Sequence, residues 1–273
     1  MSHSRSRAAE VARDTVAAVA AGRYTTPAGA VVDLRDAVAL ARRHTVEYPP
    51  GEAGPPVVPA GRPTRTGVTN ETTLSAARRL AAEGRRVAAL NFASARHPGG
   101  GFLSGARAQE ESLCRASALY ECLRDCRMYP HHAPLPGGMY TNYAIYSPAV
   151  PVFKDDDGTP LPEPYPCGFV TAPAVNAGAI RPEERGRVRG EMAERVGKVL
   201  AVAAGHGHDA VVLGAWGCGV FKNDPALIAD LFREALAARF AGVFDVVAFA
   251  VLDTSAAAAT CRAFADRFAA PDR

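Results

Sequence analysis

From residue 64 onward the chain alternates short apolar runs with amphipathic helical segments, and few folds accommodate that alternation. Residues 64–69 read as a strand. Thr73–Ala82 reads as a helix, with Asn70 or Thr72 as N-cap and Gly84 as its stop, and Val87–Phe92 (VAALNF) as a strand buried on both faces. Further on, the pattern predicts a helix over 109–127, a strand over 168–172 and a helix over 183–204 with Pro182 in its first turn and Gly205 at its end. A strand over 210–215, a helix opened by Asp224-Pro225, a strand over 246–252 and a helix over 255–268 complete it. Residues 129–166 read as loop, with several prolines and the acidic turn 155–158. Strands separated by helices call for an α/β sheet covered on both faces, with ligands at loops beyond the carboxyl ends of the strands.

Ahead of this lie two helices, over 7–21 and 34–44, and then residues 48–63, in which nine of sixteen are Pro or Gly. No regular element is expected in such a stretch. The predicted organisation is therefore an N-terminal helical extension with its Pro/Gly-rich link over 1–63 and a main domain over 64–273.

Charge excludes some functions. The 31 Lys+Arg against 28 Asp+Glu leave +3, too mild for a surface that coats DNA or membrane. No apolar leader opens the chain, and its longest apolar run is too short and glycine-rich to span a bilayer, so a cytoplasmic protein is expected. Six cysteines without a CxxC or a second ligand pair suggest neither a zinc site nor a disulfide scaffold.

Three loops at predicted strand ends carry chemistry. After VAALNF come Asn91, Ser94 and the triple glycine Gly99-Gly100-Gly101, then Gln109-Glu110-Glu111 opening a helix. Three glycines allow close backbone approach to a ligand, although alone they equally describe a mobile turn. Two glutamates in a first helical turn alone equally describe compensation of the helix dipole. The second loop, Gly217-Cys218-Gly219-Val220-Phe221, lies between a strand and a capped helix, the arrangement that cradles a diphosphate; it matches neither GxxxxGK[ST] nor GxGxxG. The third is Asn70-Glu71-Thr72-Thr73, read either as capping or as an acid that accepts from an exocyclic amine.

Together, the triple glycine followed after seven residues by Gln109-Glu110-Glu111, the Gly217–Phe221 loop and the Asn70–Thr73 turn resemble the bacterial-type poly(ADP-ribose) glycohydrolases, in element order over residues 7–270. The resemblance implies a macrodomain: a three-layer α/β/α fold with a mixed central sheet and an N-terminal helical extension. It also implies cleavage of ribose–ribose O-glycosidic bonds with release of ADP-ribose, without metal or cofactor. By that resemblance Glu111 is the catalytic acid and Glu110 contacts ribose hydroxyls. Gln109, Gly99, Gly100, Gly101, Asn91, Ser94, Glu71, Thr72, Gly217, Cys218, Gly219, Val220 and Phe221 bind substrate. Where animal-type members carry Asp-Phe-Ala-Asn, this chain reads Asn91-Phe92-Ala93-Ser94. The extension, closing the distal end of the cleft, implies attack at chain ends. Expected partners are poly(ADP-ribose) or ADP-ribosylated protein as substrate and ADP-ribose as product, with no membrane or DNA partner, for a monomer.

Consecutive helical residues point about 100° apart, so Glu110 and Glu111 are not expected to flank one bond from both faces as most glycosidase pairs do. One carboxyl then works twice, Glu111 first giving a proton to the leaving oxygen and then activating water. This needs Glu111 to hold a proton at the outset, which burial and the charge of Glu110 favour and the helix N-terminus opposes. The alternatives are a macrodomain that binds ADP-ribose without turnover and a cysteine hydrolase using Cys218.

Overall fold

The computed structural model describes residues 5–59, 61 and 63–268; residues 60 and 62 of the Pro/Gly-rich stretch and the chain ends of the two expected domains lie outside it. The first described elements are α1 (Arg5–Ala21), a hairpin of β1 (Arg23–Thr25) and β2 (Val31–Asp33), α2 (Arg35–Arg43) and β3 (Val46–Tyr48). Next come β4 (Arg65–Thr69), α3 (Thr73–Ala82), β5 (Val87–Phe92), α4 (Gln109–Ala116), α5 (Leu119–Leu123) and α6 (Met128–His132). The remainder is β6 (Ala144–Lys154), β7 (Pro160–Ala172), α7 (Val188–Gly205), β8 (Ala210–Leu213), α8 (Pro225–Ala237), β9 (Val246–Ala250) and α9 (Ala259–Phe268).

Among the described residues seven strands make one mixed sheet in the order β3–β6–β7–β5–β8–β9–β4. From β7 to β4 all neighbours are parallel, while β6 runs antiparallel to both β7 and β3. Side chains alternate between faces, as a pleated strand requires. Val87 and Ala89 of β5, Val212 of β8 and Ala248 of β9 enter the core under α3, α4 and α5. Ala88 and Leu90, Val211 and Leu213, and Val247 and Phe249 enter the opposite core under α7, α8 and α9. Burial on both faces explains why these strands read as unbroken apolar runs. The result is the expected three-layer α/β/α macrodomain-like fold.

Two expectations are corrected. The helix predicted over 109–127 is divided. Ser117 takes an extended conformation (φ −142°, ψ 175°) between α4 and α5 and bridges to Val152, while the Ala118 N–H donates to the Pro151 carbonyl at 3.1 Å. The stretch 129–166 is not loop but holds α6, β6 and most of β7, a long hairpin closed by the turn at residues 155–158. Its prolines are absorbed by register: Pro151 faces Pro166, so two residues without an N–H share one rung, and a register shift after Ser147 takes up Pro148.

The extension is tied to this body by backbone. β3 pairs with β6, and Lys198 of α7 donates to the carbonyls of Tyr48 and Pro49 at 2.9 and 2.7 Å. α1 packs on α4, held by Thr15 Oγ1 donating to the Arg115 carbonyl. Among the described residues no helix is long and apolar enough to cross a membrane.

Candidate active site

Because the strands from β7 to β4 are parallel, their carboxyl ends share one edge of the sheet, and the loops leaving them surround a cleft. It consists of two joined compartments of about 500 and 470 Å³, which share Phe92, Ala108, Gln109, Ala215 and Gly219.

Glu110 and Glu111 line the first compartment. Gln109 sets their angle. Its Oε1 accepts from the Phe92 N–H at 2.9 Å, and its Nε2 donates to the Leu90 carbonyl at 2.8 Å and to Thr73 Oγ1 at 3.1 Å. The first turn of α4 is thereby clamped onto the end of β5. Glu110 is 3% exposed; its Oε2 accepts from the Ser94 N–H at 2.7 Å. Asn91, fully buried behind it, donates at 3.4 Å to Glu110 and at 3.2 Å to Thr171 Oγ1. Burial lifts the Glu110 carboxyl to about 8, opposed by its bond from Ser94 and reinforced by the charge of Glu111. Glu111 Oε1 accepts from the Gly101 N–H at 3.0 Å.

The triple glycine lies against these carboxyls rather than on the open surface of the cleft. At Gly100 (φ +60°) a Cβ would stand 2.5 Å from Glu111 Oε1 and 3.1 Å from Glu110 Oε2. Only glycine lets the chain pass there. Ser94 lines the cleft, and its Oγ accepts from the N–H groups of Arg96 and His97.

The second wall is the loop from β8 to α8. Its N–H groups at Gly219, Val220 and Phe221 have no partner among the described hydrogen bonds, and Asp224 caps α8 by accepting from the Ala226 N–H at 2.9 Å. Unpaired N–H groups running into a helix start favour an anion. Gly217 (φ +74°) passes so close to Asn223 that a Cβ would lie 2.5 Å from its Nδ2. That amide donates to the carbonyls of Val175 and Gly217. Val220 stands exposed and Phe221 is half-buried. Burial pushes the Cys218 thiol to about 12, and it faces the second compartment, so it makes a poor nucleophile.

Glu71 and Thr72 line the second compartment, away from the carboxyl pair. Thr72 is the observed N-cap of α3 and donates to Asp156; Glu71 accepts from Thr69 Oγ1 at 2.7 Å and pairs with Arg79 at 2.6 Å.

Four residues of this region escaped the sequence reading. Trp216 is fully buried and donates to the Ala172 carbonyl, and Asn223 braces the second loop. Tyr140 and Arg96 line the first compartment. Asn223 adjoins a legible N-cap, but Tyr140 reaches the cleft through a left-handed backbone (φ +51°) that no sequence pattern signals at a tyrosine.

A family model described as microbial-type PARG, catalytic domain, matches residues 12–155. Among solved structures, poly(ADP-ribose) glycohydrolase from Thermomonospora curvata is 49% identical over 96% of this chain and 99% of that one, with a TM-score of 0.89. The Thermomonospora curvata enzyme bound to the inhibitor ADP-HPD is 47% identical over the same shares, also at 0.89. The Deinococcus radiodurans enzyme in complex with ADP-ribose is 44% identical over 86% of this chain and 98% of that one, with a TM-score of 0.80. A search of curated protein sequences finds no match. Fold, cleft and likeness together define a macrodomain-type glycosidase. The chain belongs to the family of microbial-type poly(ADP-ribose) glycohydrolase (PARG) catalytic domains.

Proposed function

We propose that this chain releases ADP-ribose from the free ends of poly(ADP-ribose), with Glu111 as proton donor and then base. The observation that carries the reading is a buried carboxyl pair on one helical turn, facing a loop of unpaired N–H groups across the cleft. The N–H groups of residues 219–221 receive the diphosphate, the second compartment takes the adenosine and the terminal ribose rests at the carboxyls. The C1″–O bond breaks with its electron pair going to the departing ribose oxygen, which takes the Glu111 proton. The oxocarbenium-like sugar then receives water, whose proton returns to Glu111. At pH 7 the pair holds one proton, on Glu110 in the free cleft because burial raises it to about 8; in the bound complex that proton passes to Glu111, which delivers it, and Glu110 accepts from a ribose hydroxyl.

Two features favour chain ends. Beyond Arg107 and Asp156 the groove meets a space walled by Ala8 and Val11 of α1. The same space is lined by Asp155, Asp156 and Asp157 against two arginines, Arg107 and Arg115, a balance of charge unsuited to the diphosphate of a further unit. In this reading residues 64–273 form the catalytic domain and residues 1–63 its closing extension. The chain then works as a cytoplasmic monomer without a DNA partner, consistent with its charge of +3.

Incubation with poly(ADP-ribose) tests the proposal. Monomer from the first time points without mid-length fragments is expected. Early fragments would show internal cleavage. Glu111→Ala should lower turnover by about 1000-fold, within the range for loss of a general acid, and still bind ADP-ribose in calorimetry. A wild-type chain that binds ADP-ribose tightly but never degrades polymer would be a reader instead.

A further inference from the structure

The first compartment extends past the carboxyl pair to a corner that the scheme above leaves unused, formed by Arg96, His97 and Tyr140. Arg96 is the compartment's one arginine or lysine among the described residues, and no described carboxylate pairs with it. The guanidinium is held in place: Nη2 donates to the Leu135 carbonyl at 2.6 Å, and the group lies over the Tyr140 ring, 5.6 Å from its centroid.

Tyr140 is itself fixed at some cost. Its φ of +51° is unfavourable for a residue with a Cβ, and such strain persists only where the surroundings enforce it. They do so from several sides. Arg195, buried in α7, donates to the Met139 carbonyl, and the Asn176 N–H donates to the Gly138 carbonyl at 2.8 Å. The Thr141 N–H donates to His132 Nε2 at 3.1 Å. The outcome is an aromatic ring 6.2 Å from Phe221, centroid to centroid, with a cation on its face, beside the carboxyls but outside the second compartment.

We infer that Arg96 and Tyr140 form a subsite for the nucleotide left behind on the polymer, Arg96 taking its pyrophosphate and the ring platform its adenosine. This rests on the hydrolase reading. A cut at a chain end leaves a unit whose ribose oxygen was bonded to the sugar at Glu111, so that unit stands next to this corner during the reaction. Guanidinium and aromatic faces are suited to an anionic nucleotide that must be held loosely and released.

Two substrates separate the possibilities: poly(ADP-ribose), and ADP-ribose with a nitrophenyl group on its anomeric carbon, which has no leaving nucleotide. Arg96→Gln should lower kcat/KM on polymer about tenfold relative to the nitrophenyl substrate, the loss of one charge-assisted contact. Arg96→Lys should restore part of that difference and so exclude a folding defect. Equal losses on both substrates, or weaker ADP-ribose binding in calorimetry, would mean that Arg96 serves the bound unit itself and would overturn the inference, as would no change on either. If the wild-type chain splits neither substrate, the hydrolase reading fails and the subsite goes with it.

Discussion

The loop after β5 and the loop after β8 are both glycine-rich, and both leave parallel strands at the same edge of the sheet, yet they are built in opposite ways. In the first, glycine permits contact. Gly100 runs against two carboxyls, and the N–H groups of Ser94 and Gly101 are committed to them. In the second, the N–H groups of residues 219–221 have no described partner, and a Cβ on Gly219 would meet nothing within 4 Å. In the proposed scheme the first loop holds the catalytic carboxyls, which need fixed positions, and it is closed by internal bonds before a ligand arrives. In the same scheme the second loop receives a diphosphate, which brings its own acceptors, and it keeps donors free.

This contrast can be broken most severely at Gly100. Gly100→Ala should cut turnover by about 100-fold or more, the scale expected when reacting groups are displaced by about an ångström; ADP-ribose release from polymer, with circular dichroism to confirm folding, measures it. Next comes pH. If the pair must hold its one proton, turnover should fall about tenfold per unit above the Glu110 value of about 8, and Glu110→Gln should move that limb. Stability should follow. Between the ordinary value of 4.5 and about 8 the fold holds a proton on Glu110 that the unfolded chain has lost, so stability declines as pH rises through that window. Melting temperature against pH should show this slope in the wild type and a flatter one in Glu110→Gln.

Smaller effects belong to the second loop. Gly217→Ala combines a positive φ with a contact at 2.5 Å to Asn223, and should weaken ADP-ribose binding about fivefold by calorimetry, the cost of roughly 1 kcal/mol for a left-handed residue. Gly219→Ala should change binding less than about twofold, as for an open surface site. A large loss there would show that this loop is as tightly built as the first.

The strands whose two faces are both apolar, β5 and β8, were legible because burial on both sides leaves no polar interruption. Thr73–Ala82 was legible because its cap and stop are local chemistry. The β6–β7 hairpin was not. A proline reads as a breaker, and nothing local reveals that Pro151 will face Pro166 across a ladder. Ser117 likewise fits a helical pattern until its bridge to Val152 draws it out. At the site, the glutamates and the glycine loops were visible as motifs. Which carboxyl burial would lift was not, because the bonds from Ser94 and Asn91 to Glu110 depend on how the loop folds back. Tyr140 and Arg195 were invisible for the same reason: each acts through a long-range contact.

The order of the sheet has one more consequence. Its two outermost members are β3, of three residues, and β4, of five. Either rim offers a foreign chain only a short row of unsatisfied peptide groups, too little to template fibril growth or strand exchange. The longest strands, β6 and β7, are flanked by a strand on both sides only at Ala144–Tyr146 and Gly168–Ala172, and further along β6 the segment after α4 takes over, through the bridge from Ser117 to Val152 and the Ala118 N–H on the Pro151 carbonyl.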